Sequence, residues 1–411
     1  MSFQSQKRIA LISVHGDPAA EIGKEEAAGQ NVYVRQVGEA LAKLGWDVDM
    51  FTRWSQAEDD PIVEHGPHCR TFRLEAGPKT FIPRHQLFEY LPEFVKQVLK
   101  FEQEQGVEYP LIHTNYWLSS WVGMSLKKHQ AVKQVHTYHS LGAVKYRSIP
   151  QIPDIAQLRL TIEKECLETA DTIVATSPQE KADMLNLVST KGKIEIIPCG
   201  TDIQRFGSLT QQQARHQLGI SLEEKVIFFV GRFDPRKGID TLIQAVNCCK
   251  SQYQNHLTIL IGGGSRPGFS DGNERERLEK LVTELGMNQM IKFLGRIEDE
   301  DLPLYYGAAD VCVFPSHYEP FGLVAIEAMA SGTPVIVSDV GGLRFTVVPE
   351  QTGLLCPPKD EIAFAQAIDR ILLNPTWRDQ LGTAARERVE HKFSWTGVAL
   401  QLNDLYSRLL E

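Results

Sequence analysis

The chain has 411 residues, about three times a common domain length, so two packed domains are expected rather than one oversized core. Its 42% hydrophobic and 23% charged residues are ordinary globular values, which excludes wholesale disorder and fibrous repeats. Forty-three Lys and Arg against fifty-two Asp and Glu leave a net charge of −9, which argues against a nucleic-acid partner but leaves local basic pockets open.

The first residues, MSFQSQKRIALISVHG, carry a six-residue apolar run from Ile9 that is too short for a signal sequence. No stretch approaches eighteen apolar residues, so neither export nor a membrane span is expected. Strand-like IALISV from Ile9, WDVDMF from Trp46, LIHT from Leu111, VKQVHT from Val132, TIVATS from Thr172 and IEIIP from Ile194 alternate with stretches of helical length. The alternation restarts with VIFFVG from Val226, LTILIGGG from Leu257, IKFLG from Ile291, VCVFPS from Val311 and PVIVSD from Pro334. This pattern predicts an α/β chain with two Rossmann-like, parallel-sheet domains. The polar stretch from Gly200 to Gly219 reads as the linker, giving domains at 1–205 and 220–392. Residues 393–411 place leucines at helical spacing and are expected to pack back on the first domain. Seven cysteines without CxxC spacing fit a reducing compartment, the cytoplasm, better than a disulfide framework.

Open parallel sheets bind ligands beyond the carboxyl ends of their strands, so the loops there are the places to look. The first strand ends at His15 and enters a 14-residue loop, Gly16 to Gly29, before a helix near Asn31. Gly29 beside a helix N-terminus reads either as an anion contact or as a plain cap, and neither GxGxxG nor a Walker lysine accompanies it. After the first strand of the second domain comes Gly231-Arg232-Phe233-Asp234-Pro235-Arg236-Lys237-Gly238, with three cations in six residues. Such a group holds a diphosphate or forms a solvated basic turn.

The most informative stretch runs from Phe314 to Ala330. Pro320 and Gly322 end a strand and LVAIEAMA forms a helix, which puts Glu319 in the loop and Glu327 about a turn and a half into the helix. Amides of Gly322, Leu323 and Val324 would face an anion, and the two carboxylates would accept hydrogen bonds from hydroxyl groups on either side of it. That is a layout for a nucleotide sugar. The alternative is a cap followed by an apolar helix with a stray glutamate, although an acid on such a face needs a partner. His65, His68 and Cys69 have no second cluster at ligand spacing and His136 with His139 lacks a third ligand, so no metal and no cofactor are expected. Adjacent Cys248 and Cys249 read as packing residues.

Glu319 and Glu327 flanking EPFGL, the basic stretch after Gly231 and the N-terminal glycine loop together resemble the retaining glycosyltransferases of family 4, of GT-B architecture. The resemblance covers nearly the whole chain. Within that group Gly29 to Val34, Thr114 to Ser119 and His136 to Gly142 are similar to the sucrose-phosphate synthases and to the inositol-phosphate glycosyltransferases of mycothiol synthesis. What the resemblance implies is this. The catalytic groups are His139, Arg232, Lys237 and Glu319. Arg232 and Lys237 bind the donor diphosphate, Glu319 the hexose hydroxyls and Glu327 the ribose, while Gly29, Gln30, Phe321, Gly322, Leu323 and Val324 complete the donor site. Arg84, Tyr116, Ser140, Lys145 and Arg159 receive an acceptor phosphate. Such families carry two glycines where this chain has Ala28-Gly29.

The resemblance implies UDP-glucose as the donor, and because DPRKGIDTLIQA and TYHSLG look closer to the sucrose-phosphate synthases it implies fructose 6-phosphate as the acceptor, with a separate sugar phosphatase as a further partner. An inositol phosphate or another sugar phosphate is the alternative acceptor. A nucleotide-sugar sensor and an epimerase on the same architecture are the readings of another class; Arg232 with Lys237 argues against the first, and the acceptor cluster is superfluous to the second.

Overall fold

The apolar runs that open each half become interior strands because parallel strands covered by helices are buried on both faces and need no polar alternation. In the first, Ile9 to Ile12 are all at most 1% exposed. The computed structural model describes residues 7–20, 29–147, 151–249 and 256–411. Ala28 and Ser148 to Pro150 lie outside the described residues, as does much of the loop before Gly29. The chain divides into two units, Met1–Pro198 with Trp395–Glu411, and Cys199–Ser394.

The first unit contains β1 (Lys7–Ile12), β2 (Trp46–Arg53), β3 (Ile62–Gly66), β4 (Cys69–Leu74), β5 (Leu111–Asn115), β6 (Lys133–Thr137), β7 (Thr172–Ala175) and β8 (Ile194–Ile196). They lie in the order β3-β4-β2-β1-β5-β6-β7-β8. All pairings are parallel except β3 with β4. β3 and β4 are additions to the strands read from the sequence. β3 is an edge strand of exposed and half-buried residues, so its composition carries little apolar signal. The turn between them spends the histidines near Cys69: His65 Nε2 pairs with Thr71 Oγ1 at 2.8 Å and His68 Nδ1 with Asp47 Oδ1 at 2.6 Å.

The second unit contains β9 (Lys225–Val230), β10 (Leu257–Gly262), β11 (Ile291–Gly295), β12 (Val311–Phe314), β13 (Val335–Ser338) and β14 (Gly353–Cys356), ordered β11-β10-β9-β12-β13-β14. All its pairings are parallel.

The stretch read as a linker is instead part of this unit. It forms helices Ile203–Phe206 and Gln211–Leu218, the second started by a capping box between Thr210 and Gln213. The polarity of QQQARHQ hides one buried anchor, Arg215, 2% exposed, whose Nη2 donates to Asp310 Oδ2 at 2.8 Å and whose Nη1 reaches the carbonyls of Ser221, Leu222 and Glu224. The helix Trp395–Leu410 lies against the helix Gly29–Lys43 of the first unit.

Strand order positions the chemistry. β1 lies between β2 and β5, and β9 between β10 and β12, so the chain winds first to one side of its opening strand and then to the other. At such a reversal the loops leaving the two neighbouring strands splay apart and leave a crevice. Within the first unit the loops after β1, β5 and β6 therefore gather at one edge of its sheet, and within the second unit those after β9 and β12 do the same.

Candidate functional site

In the first unit three side chains leave the carboxyl ends of β1, β5 and β6. His15 follows β1, and its ring centroid lies 4.5 Å from that of Tyr116, which follows β5. His139 follows β6; its Nε2 is 2.8 Å from Asn115 Oδ1 and its ring meets Tyr33 edge-on at 4.7 Å. Tyr116 and His139 both have left-handed backbones, φ 73° and 57°. That conformation costs a non-glycine residue about 1 kcal/mol or more, and it persists only where the surroundings enforce it.

Burial pushes His139 down to about 3, so the imidazole is neutral at physiological pH. His15 is held well below its usual range, first by burial and then by Arg84, with His139, Arg159 and Lys145 adding to the effect. Its Nδ1 is buried without a hydrogen-bond partner. The ring is thus neutral near the cationic side chains of Arg84, Arg159 and Lys145, with one buried polar atom unsatisfied.

Beneath that cluster, Arg159 is 2% exposed and fully engaged. Its Nε donates to Glu163 at 2.6 Å and one Nη to the Tyr116 hydroxyl at 3.1 Å, while the other reaches the Ser140 carbonyl. The guanidinium also sits 4.9 Å over the Tyr116 ring. Glu163 accepts the Gly142 amide at 2.9 Å as well. Arg159 thus fixes Tyr116 and Ser140 from below, while Arg84 and Lys145 are half-buried beside them. Gln30 ties the start of the next helix to the first loop: its Nε2 donates to Ser13 Oγ at 2.9 Å, and that hydroxyl donates to the Gly16 carbonyl at 2.6 Å. Gly29 is the first residue of that helix.

In the second unit the loops after β9 and β12 meet. His317 N–H donates to the Arg236 carbonyl at 2.7 Å. Gly238 makes this approach possible: its φ is 67°, and a Cβ there would stand 2.1 Å from the Pro315 carbonyl oxygen. The Asp234 carboxylate caps the Pro235–Lys237 turn and pairs with Arg236 Nε at 3.0 Å. Burial would raise its pKa, but those bonds prevail and hold it at about 2. With Arg236 so occupied, Lys237 Nζ donates to Glu319 Oε2 at 2.6 Å, the two side chains being 24% and 14% exposed. Arg232 is exposed at the start of the loop.

Gly322, φ 95°, precedes the helix Leu323–Ala330, and a Cβ on it would stand 2.5 Å from Leu343 Cδ2. The first turn leaves amides without intrahelical acceptors, beside Phe321, which is buried against Phe393. Glu327 projects from the same helix, and its Oε2 accepts the Tyr306 hydroxyl at 2.8 Å. Burial lifts its carboxyl to about 7, with Tyr306 and Arg205 restraining the rise.

The structure brings Lys237 to Glu319, and Arg159 to Tyr116 and Ser140. It adds His15, Asn115, Tyr306 and His317 to the residues read from sequence. His15 carried a signal, as the residue that ends the strand read from the first apolar run, whereas nothing links Tyr306 to Glu327 before folding. Among the described residues no three His, Cys, Asp or Glu side chains converge as a metal cage. No helix among them is long and apolar enough to cross a membrane.

Each unit is thus a mostly parallel sheet with open loops at its strand ends. A family profile described as Glycosyltransferase Family 4 matches residues 27–205, and one described as Glycosyl transferases group 1 matches residues 210–388. The chain is 36% identical over 408 residues to the D-inositol 3-phosphate glycosyltransferase of Corynebacterium efficiens, covering 97% of this chain and 95% of that protein. It is 52% identical to the sucrose-phosphate synthase of Thermosynechococcus elongatus, with a TM-score of 0.91 over 98% of this chain and 99% of that one. An Anabaena protein crystallised with UDP-glucose is 19% identical, with a TM-score of 0.76 over 98% and 99% of the two chains, a likeness of fold. The chain therefore belongs to the family 4 glycosyltransferases.

Proposed function

We propose that the protein is a cytoplasmic, retaining glycosyltransferase that moves glucose from UDP-glucose to fructose 6-phosphate, giving sucrose 6-phosphate. The observation that carries the reading is the half-buried pair Arg84 and Lys145 near neutral His15, above Tyr116 and Ser140 held by Arg159, which suits an acceptor bearing both a phosphate dianion and hydroxyl groups. The 52% identity to a sucrose-phosphate synthase along nearly the whole chain favours fructose 6-phosphate as that acceptor. The 36% identity to inositol 3-phosphate glycosyltransferases supports a second reading, an inositol phosphate in the same place.

In this reading the first unit takes the acceptor and the second the donor. Lys237 and Arg232 neutralise the diphosphate, Lys237 exchanging Glu319 for it, and Glu319 turns to the hexose hydroxyls. Glu327 holds the ribose, while Gly29, Gln30, Phe321 and the amides of Gly322, Leu323 and Val324 line the donor. Transfer proceeds on one face of the sugar. The bond from the anomeric carbon to the diphosphate oxygen breaks and its electron pair leaves on UDP. The acceptor hydroxyl oxygen bonds to that carbon, and its proton passes to the departing phosphate oxygen. Fixed positive charge and helix-end amides stabilise the leaving group, and neutral His139 lies beside the reacting sugar. A separate phosphatase would consume the product.

Incubation with UDP-glucose and either fructose 6-phosphate or inositol 3-phosphate, with the product identified by mass, tests this. Sucrose 6-phosphate is expected. UDP release with the inositol phosphate alone would overturn the acceptor, and release with neither would overturn transferase activity on these substrates.

A further inference from the structure

Glu327 is a carboxylate on an otherwise apolar helix, between buried Ile326 and Ala328, and such a group needs a partner that fixes its orientation. Tyr306, from the helix Leu302–Ala308, is that partner and is wholly buried. Its ring is gripped edge-on by Phe206 at 5.6 Å and by Phe228 of β9 at 5.3 Å, and its carbonyl accepts the Thr333 hydroxyl at 2.7 Å. Three separate elements therefore determine where the phenol points, and it points at Glu327 Oε2.

We propose that Tyr306 is a positioning residue for nucleotide binding: its hydroxyl holds one oxygen of Glu327 and so presents the other, ionised, to a vicinal diol of the ligand. The inference rests on the reading that Glu327 receives the ribose. Burial raises the phenol far above its usual range, so Tyr306 stays protonated and acts only as a donor. A donor favours the ionised carboxylate over the protonated acid, which has less need of it. The other charged groups facing Glu327 are Arg205, on the Ile203–Phe206 turn, and Asp299, whose carbonyl accepts from Arg205. Their opposed signs partly offset, which leaves the phenol as the main group that counters the rise burial imposes on Glu327.

The test measures UDP affinity by calorimetry between pH 6 and 9 for the wild type, Tyr306→Phe and Glu327→Gln. The Glu327 carboxyl is followed by carbon-13 NMR without ligand in the first two. The ligand's own phosphate titration is common to all three proteins. Wild-type affinity is expected to rise as pH passes about 7. In Tyr306→Phe the midpoint moves up by about one unit, so affinity at pH 7 falls by about fivefold and recovers by pH 9. Glu327→Gln is weaker at every pH and lacks this step. An unchanged Glu327 midpoint in Tyr306→Phe would overturn the proposal even if binding weakened. A shifted carboxyl titration with UDP affinity indifferent to Glu327 would instead overturn the ribose reading, and with it the positioning role.

Discussion

The two units arrange charge at their strand ends in opposite ways. In the first, the charge that shapes the site is buried and already paired: Arg159 and Glu163 are 2% and 0% exposed, and the groups they arrange are neutral rings, a hydroxyl and a carbonyl. In the second, Lys237 and Glu319 pair where water reaches them. An exposed pair contributes little to stability, whereas a buried one is costly to break on one side only. The first site is thus a fixed mould, and the second is a pair of charges that a ligand can separate.

The contrast breaks or sharpens under substitution. The largest effect is expected from Lys237→Ala, which should lower kcat about 100- to 1,000-fold with thermal stability little changed. A loss confined to donor KM would place Lys237 in ground-state binding alone. Next comes Arg159→Ala, which strands Glu163 in the interior and should cost about 3–5 kcal/mol in urea unfolding. Unaltered stability with weakened acceptor binding would make Arg159 a surface ligand and erase the difference between the units.

Acid supplies a third probe. The first unit buries His113, His136 and His139 as neutral rings, with His113 and His139 pushed down to about 3 and His136 well below its usual value, each chiefly by burial. Between pH 6.5 and about 3 the unfolded chain therefore binds protons that the folded unit does not, so stability must fall as pH falls through that window. Each fully buried ring contributes up to about 1.4 kcal/mol per pH unit. Hydrogen exchange at pH 5 should show the first unit opening before the second, and simultaneous opening would count against the assignment. The smallest effect is expected from Tyr406→Phe, which removes a 2.5 Å hydrogen bond to His113 Nδ1 and should cost about 1–2 kcal/mol, with melting temperature as the readout.

Much of this was legible in the residues. Apolar runs gave the interior strands, and Pro320, Gly322 and the helix-forming LVAIEAMA placed Glu319 in a loop and Glu327 in a helix, where the structure has them. Edge strand β3 was not legible, because its half-exposed residues alternate without an apolar face. Arg215 misled in the other direction: a cation in a glutamine-rich stretch reads as solvated, and only the fold supplies the carbonyls and Asp310 that bury it. The resemblance places Arg159 among the acceptor-phosphate residues; in the structure its hydrogen bonds go to protein groups, an arrangement that depends on Glu163 one helical turn away. Tyr306 lies twenty-one residues from its partner, and neither periodicity nor spacing connects them.

The first unit is completed by residues that follow the second in the chain. The hydroxyl that satisfies His113 belongs to Tyr406, 293 positions later, and Trp46 Nε1 donates to Asn403. During synthesis the ribosome must deliver all of Cys199–Ser394 before the earlier sheet receives its last helix. The second half can finish folding first, while the nascent first half waits with a polar interior only partly satisfied, the period in which a chaperone would find most to hold.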